Sequence, residues 1–285
     1  MLKAIICCLM LALLIPPCMA KASGQDEREP TTVLFLNCGK ADAILIKTEG
    51  RAYLVDSGYE RTSDKLLEML ECEGVKKLDG VFLTHAHKDH YGGLTALADS
   101  SVTIDAFYAS GFCADGTGKK HPMVRAAARR GQKPVFLYGG DSVVISPSAR
   151  FDVLAPVTLN KDNENNNSLV MSLTTPDGTV LLTGDMKNEE EYLLVRSGLL
   201  SRHDVLKVPF HGDNTACSTA FLNAVLPRAA IISTSTKEEK DTPSKETLYR
   251  LAGVGAKTYV TQDAGDAIRV TLAQGSVTVE METWE

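Results

Sequence analysis

The chain has no P-loop and no GxGxxG turn, so nucleotide-cofactor chemistry finds no support in it. It also lacks a Ser/His/Asp arrangement that would supply a side-chain nucleophile, and it has no internal repeat. No Pro/Gly/Ser-rich or low-complexity stretch interrupts it after about residue 31, so no linker separates two domains. One large domain over residues 32–285 is the simplest organisation. None of the seven cysteines forms a CxxC pair. Of the four outside the first twenty residues, Cys38, Cys72, Cys113 and Cys217, either disulfides or buried free thiols are compatible with the spacing.

Charge is absent from Ala4 to Ala20, a run that follows Lys3 and ends in small residues. It reads as a secretory leader over residues 1–20, with 21–31 as a flexible mature N-terminus. A retained membrane anchor is the alternative, but Pro16 and Pro17 break the run, which is short against the ~20 residues of a spanning helix. The mature form is therefore expected to have no stable membrane span. Its location would be secreted or extracytoplasmic, with association at the cell surface as a variant.

The whole chain is 44% hydrophobic and 23% charged, ordinary for a globular protein, with a net charge of −6 that becomes −7 if Lys3 leaves with the leader. That balance argues against a surface coated for nucleic-acid binding. Acidic residues are nevertheless missing from Gly116 to Gly140, where Lys119, Lys120, Arg125, Arg129, Arg130 and Lys133 lie. A solvated helix face accounts for this plainly. The functional reading is a phosphate-steering patch, with Arg125 and Arg129, four apart on one helix, as substrate-binding candidates.

Short β-type runs at Val33–Leu36, Ala43–Lys47 and Tyr53–Val55 predict a meander. Leu66, Leu67 and Leu70 then mark a helix over 63–73, with Ser63 as its N-cap, before a buried strand at Val81–Leu83. Further strands are predicted at Phe151–Leu154, Leu169–Leu173, Val180–Leu182, Val205–Val208, Ile231–Ser233 and Thr258–Val260, with helices near 188–196 and 244–251 and a closing hairpin of Ile268–Thr271 with Val277–Met281. The pattern is that of a mixed α/β (α+β) domain with two packed sheets flanked by helices.

The densest chemistry is Thr84-His85-Ala86-His87-Lys88-Asp89-His90-Tyr91-Gly92-Gly93, between a strand and a helix near 94–98. Three of the chain's six histidines fall within six residues. Imidazole nitrogen and carboxylate oxygen suit a borderline divalent ion such as zinc. In an extended segment His85 and His87 project to the same side and can hold one ion, while Asp89 and His90 can turn toward another. His121 and His203 have no such setting and are expected to be solvated.

HxHxDH after a hydrophobic strand resembles the signature of the metallo-β-lactamase superfamily. Phe35-Leu-Asn-Cys-Gly-Lys-Ala-Asp-Ala43, Tyr53-Leu-Val-Asp-Ser-Gly58, Asn165-Asn-Asn-Ser168, Leu181-Leu-Thr-Gly-Asp185 and Lys207-Val-Pro-Phe-His-Gly212 follow in the order typical of the hydrolase domain of ComEC-type competence proteins. The resemblance covers the chain from about Thr32 onward and is to a free-standing, exported relative without the membrane-channel region. It implies an αββα sandwich with a two-metal site at one edge. His85 and His87 would hold the first ion and Asp89, His90 and His211 the second, with Asp185 bridging. Catalysis is assigned to Asp89 and Asp185. Asp56 is read as a carboxylate that steadies the metal loop rather than as a ligand, and Asn167 and Ser168 are given similar supporting tasks. Three positions depart from the family pattern. The loop Asn165–Ser168 lacks a third histidine for the first ion, Phe210 replaces one histidine of the Pro-His-His-Gly turn, and Thr242-Pro243 stands for His-Pro.

Two divalent ions, zinc first and manganese second, would share a water, lower its pKa and neutralise a developing oxyanion. The leading expectation is a phosphodiesterase or nuclease acting on DNA or on a small phosphodiester such as a phosphorylcholine-type group. Lactamase-like amide hydrolysis is the second, and a metal-binding surface protein with little catalysis the third. Nothing in the sequence sets an oligomeric state.

Overall fold

The computed structural model describes residues 29–284. The leader at 1–20 and residues 21–28 of the polar stretch lie outside the described residues. The domain starts one residue earlier than expected, because Thr31 already pairs with Leu272 and its Oγ1 lies 2.8 Å from Thr48 Oγ1.

Successive residues of a strand face opposite ways. In β1 (Thr31–Leu36) this sends Val33 and Phe35 into one apolar cluster and Leu34 and Leu36 into another. Both faces are covered, which is why the run is apolar throughout instead of alternating. β2 (Ile44–Thr48) and β3 (Arg51–Val55) complete an antiparallel meander. After α1 (Ser63–Cys72) and the short β4 (Lys77–Leu78), β5 (Gly80–Leu83) runs parallel to β3. α2 (Lys88–Tyr91), α3 (Leu94–Asp99) and β6 (Thr103–Ile104), the partner of β4, follow. β7 (Phe107–Ser110), α4 (Pro122–Arg129) and β8 (Val135–Leu137) extend the parallel part of this sheet.

A second sheet opens with β9 (Ser142–Val144), β10 (Arg150–Ala155), β11 (Val170–Thr175) and β12 (Gly178–Leu182), all antiparallel. Right-handed crossovers are the general rule for parallel strands joined through a helix. Here α5 (Asn188–Ser197), α6 (Thr219–Val225) and α7 (Lys245–Gly253) connect β12 to β13 (Val205–Lys207), β14 (Ala229–Ile232) and β15 (Lys257–Val260) in parallel order. The hairpin β16 (Ala267–Ala273) and β17 (Ser276–Glu282) returns to the first sheet beside β1.

The two sheets enclose Val33, Phe35, Phe82, Phe151, Met171, Val205 and Ile231 between them. Leu66, Met69, Leu97 and Met123 cover the outer face of the first sheet from α1, α3 and α4, and Leu194, Phe221 and Leu251 cover the second from α5, α6 and α7. The layers are therefore αββα. Phe82, on the strand that leads into the histidine motif, stacks on Tyr108 at 4.5 Å and meets Phe151 edge-on at 5.2 Å. Such a ring holds β5 in place with an energy of roughly 3–5 kcal/mol against truncation. The segments that follow β3, β5, β12 and β13, and those that precede β2 and β11, all emerge at one edge of the sandwich.

Ser63 is the first residue of α1 and not its cap. A 3-10 turn at Glu60–Thr62 runs directly into the helix, and Ser63 Oγ donates to Glu60 O at 2.7 Å.

Candidate metal centre

β5 delivers Thr84 and His85 to the edge, and His87 then sits in extended conformation just before α2, which carries Asp89 and His90. The close turn that follows needs Gly92 and Gly93, since a Cβ at either would strike backbone atoms of Glu60 or Ser57. β12 ends in Thr183-Gly184-Asp185. Gly184 has φ +50°, and a Cβ there would come within 2.8 Å of the Ser168 Cβ. The Asp185 N–H donates to Ser168 Oγ at 3.0 Å, which orients the carboxylate. Phe210 and His211 both adopt left-handed backbone, with φ 47° and 53°, and this turns the His211 ring inward.

Asp89, His90, Asp185 and His211 meet as one cluster whose potential ligand atoms lie within 4.8 Å of one another. Asp185 Oδ2 is 3.3 Å from His90 Nε2 and 3.1 Å from His211 Nε2, and Asp89 Oδ2 is 3.4 Å from His211 Nε2. Partners on the far ring nitrogens orient both imidazoles: His90 Nδ1 contacts Asp56 Oδ2 at 2.8 Å and His211 Nδ1 contacts Ser233 O at 2.7 Å. His90 Nε2, His211 Nε2 and Asp185 Oδ1 are buried without a hydrogen-bond partner. Unpaired buried polar atoms are costly, and a mixed nitrogen and oxygen set of this size suits a divalent cation. The residues fit one.

Electrostatics in the cluster follow from burial and neighbours. Burial opposes charge on His211, yet Asp185 and Asp89 hold its pKa up at about 9. His90 is likewise raised, against burial, by Asp185 and Asp56. Burial also opposes the charged form of Asp185, but the two imidazoles keep it well below the usual carboxylate range. Burial and the neighbouring His90 lower His85, which leaves it neutral and able to donate a lone pair.

His85 and His87 stand beside this cluster and not within it. His85 Nε2 and His87 Nδ1 are 3.0 Å apart, and the His85 ring centroid is 4.2 Å from that of His90. Asp56 accepts from the Thr84 N–H and hydroxyl, both at 2.8 Å, besides contacting His90. Asn167 exchanges hydrogen bonds with the Asn160 backbone and donates to Glu164 Oε2. Arg125 and Arg129 line a groove with Arg61, Lys88 and Tyr91, and Arg129 forks onto Asp99 at 2.9 and 3.0 Å.

The sequence profile described as the metallo-beta-lactamase superfamily matches residues 36–236. The chain belongs to the metallo-beta-lactamase superfamily. Within it, the chain is 27% identical to ComE operon protein 3 of Bacillus subtilis over 266 residues, 86% of this chain and 33% of that protein. It is 26% identical to competence protein ComA of Neisseria gonorrhoeae over 259 residues, 90% of this chain and 34% of that one. The chain thus spans about a third of the length of these curated relatives. Among solved structures, the metallo-beta-lactamase fold protein YhfI of Bacillus subtilis superimposes with a TM-score of 0.55 at 16% identity, over 88% of this chain and all of that one. The αββα fold and the likeness to competence proteins are therefore as expected, and the chain is a superfamily member with a candidate metal site.

Sequence reasoning missed one part of this superfamily site. Lys207 and Asp42 form a fully buried ion pair behind the cluster, and Lys207 Nζ also lies 3.5 Å from Asp185 Oδ1 and donates to Gly184 O at 2.9 Å. Burial works against the Lys207 charge, but Asp42 and Asp185 raise its pKa overall. The available signal was a lysine enclosed by Leu206 and Val208. His121 and His203 also correct the expectation of solvation, since both are buried. His203 bridges Ser172 Oγ and Ser201 O at 2.8 Å each, and His121 packs edge-on against Phe136. The four cysteines among the described residues are free thiols, and of these only Cys72 is exposed.

Proposed function

We propose that this superfamily member is a phosphodiesterase or nuclease that uses two divalent ions, zinc before manganese. The observation that carries the reading is the convergence of His90 Nε2, His211 Nε2 and Asp185 Oδ1, each buried without a hydrogen bond, beside a groove lined by Arg61, Lys88, Arg125 and Arg129. Asp89, His90, Asp185 and His211 would hold one ion, His85 and His87 the other, and Asp185 would reach both. Bound ions supply Lewis acidity and a hydroxide near neutral pH.

The chain's own residues do the rest. Asp56, Thr84 and Ser233 lock the ring orientations, and Ser168 holds Asp185 through its backbone N–H. Lys88 lies between His87 and Asp89 and lines the groove together with Arg125, which would meet an anionic substrate there. DNA and a small phosphodiester both meet this requirement. Lactamase-like amide hydrolysis makes no use of the basic groove. Secretion or retention outside the cytoplasm belongs to the same reading, and N-terminal sequencing of the mature protein tests it.

Metal-loaded protein is expected to cleave bis(p-nitrophenyl) phosphate or single-stranded DNA, with EDTA, Asp89→Ala and His87→Ala each lowering turnover at least a hundredfold. Turnover that survives all three, or faster turnover of nitrocefin, would refute the assignment.

A further inference from the structure

Phe210 takes the place of a motif histidine next to His211, and its ring serves two lysines. Lys187 Nζ lies 4.2 Å from the ring centroid and Lys40 Nζ 5.7 Å. The three residues come from three loops of the metal edge. Lys187 follows Asp185 by two positions, and the two loops touch where the Phe210 N–H meets Gly184 O at 3.4 Å. Lys40 precedes Asp42 by two, and the Asp42 N–H donates to the Asp89 carbonyl at 3.1 Å.

Among the described residues Lys187 has no counter-ion. The acids nearest to it in sequence are placed elsewhere: Asp185 is in the cluster with His90 and His211, Glu189 takes the Asn166 amide, Glu190 is buried, and Glu191 takes the N–H groups of Cys217 and Ser218. Among the described residues no carboxylate pairs with Lys187, while Lys40 has a loose pair with Glu239 at 3.8 Å. An ammonium resting on a ring face keeps its N–H donors free for an anion. Its place at the rim of the metal cluster puts that anion beside the reacting one.

We propose that Lys187 and Lys40, steadied by Phe210, receive the phosphate next along a single-stranded DNA, so that the site favours a polymeric phosphodiester over a small one. This rests on the phosphodiesterase reading. A phosphorylcholine-type diester has one phosphate and leaves the receptor unused.

The test uses metal-loaded protein and a labelled twelve-residue phosphorothioate oligothymidylate, whose binding is read by anisotropy and needs no turnover. Lys187→Gln is expected to raise its Kd about tenfold and to flatten the salt dependence by about 0.7 in log–log slope, the share of one phosphate contact on a single strand. Lys187→Arg restores binding, and Phe210→Leu weakens it about threefold. In turnover, Lys187→Gln should lower kcat/KM for oligothymidylate at least five times more than for bis(p-nitrophenyl) phosphate. Wild-type Kd and slope in Lys187→Gln, or equal losses on both substrates, would overturn the receptor. Failure of the wild type to cleave either phosphodiester would instead overturn the function, and the binding arm would still decide the receptor.

Discussion

Lys207 sits where a lysine is least expected, sealed behind the candidate metal cluster with Asp42 against its ammonium and Asp185 beyond. Removing one member of a buried pair strands the other, at a cost of about 3–5 kcal/mol. Lys207→Met is therefore expected to destabilise the fold by that amount in urea titrations. It should also weaken zinc in competition with a chromogenic chelator, because the Gly184 carbonyl and the Asp185 carboxylate lose the ammonium that holds them in place. Adding Asp42→Asn should recover part of the stability, since no unpaired charge is then left. A Lys207→Met protein as stable as the parent would show that the pair has no structural role. Gly184→Ala is a second test at this scale. The left-handed φ and the 2.8 Å approach to Ser168 should together cost about 2 kcal/mol and displace Asp185, so metal content at a fixed zinc concentration should fall along with stability.

Among the elements, α5 shows how neighbouring acids divide their tasks. Its first turn carries Glu189, Glu190 and Glu191, favourable near the positive end of a helix dipole. Glu189 and Glu191 are hydrogen-bonded, whereas Glu190 is buried and burial alone lifts its pKa to about 7. The folded state holds that proton more tightly than the unfolded chain does. Stability from this residue is thus fully present in acid and is lost as pH climbs from about 4.5 toward about 7. After discounting for solvent screening, Glu190→Gln should add about 1 kcal/mol at pH 8 and only a few tenths at pH 5. Equal effects at both pH values in urea melts would refute this origin.

Elements with a clear period were the legible ones. β1, β2, β12 and β13 show short apolar runs, Val33–Leu36, Ile44–Ile46, Val180–Leu182 and Val205–Leu206, and α1 shows its leucines at helical spacing. β7, β8 and β9 escaped because three or four residues, some exposed as Val135 and Val144 are, do not establish a period, and α6 because its seven residues make barely two turns. His85, His87, Asp89 and His90 could be found by residue type and spacing. Asp185 and His211 came only through the order of family motifs, since each is a lone polar residue after a strand. Lys207 was hidden because lysine is ordinarily a surface residue, and His203 because its partners, Ser172 and Ser201, are distant or ordinary in sequence.

For the whole molecule, the important fact is that the cluster is shared between the sheets. Asp89 and His90 hang from the first sheet through β5 and α2, whereas Asp185 and His211 follow β12 and β13 of the second. The sheets are already joined by the apolar layer between them and at this edge by the Leu169 N–H to Thr84 carbonyl bond at 3.0 Å. A divalent ion held by all four residues would add a link that exists only in the folded state, because the unfolded chain scatters the ligands. At a free concentration a thousandfold above its Kd, such an ion adds about 4 kcal/mol. For a domain of roughly this size that amounts to about 8–16 °C in Tm. Calorimetry of zinc-loaded protein against EDTA-treated protein should show a shift of this order, and Asp185→Asn should abolish most of it. His87→Ala should keep the larger part, because His87 lies outside the four-residue cluster. If zinc leaves the transition where EDTA puts it, the four side chains are not a metal site that spans the two sheets.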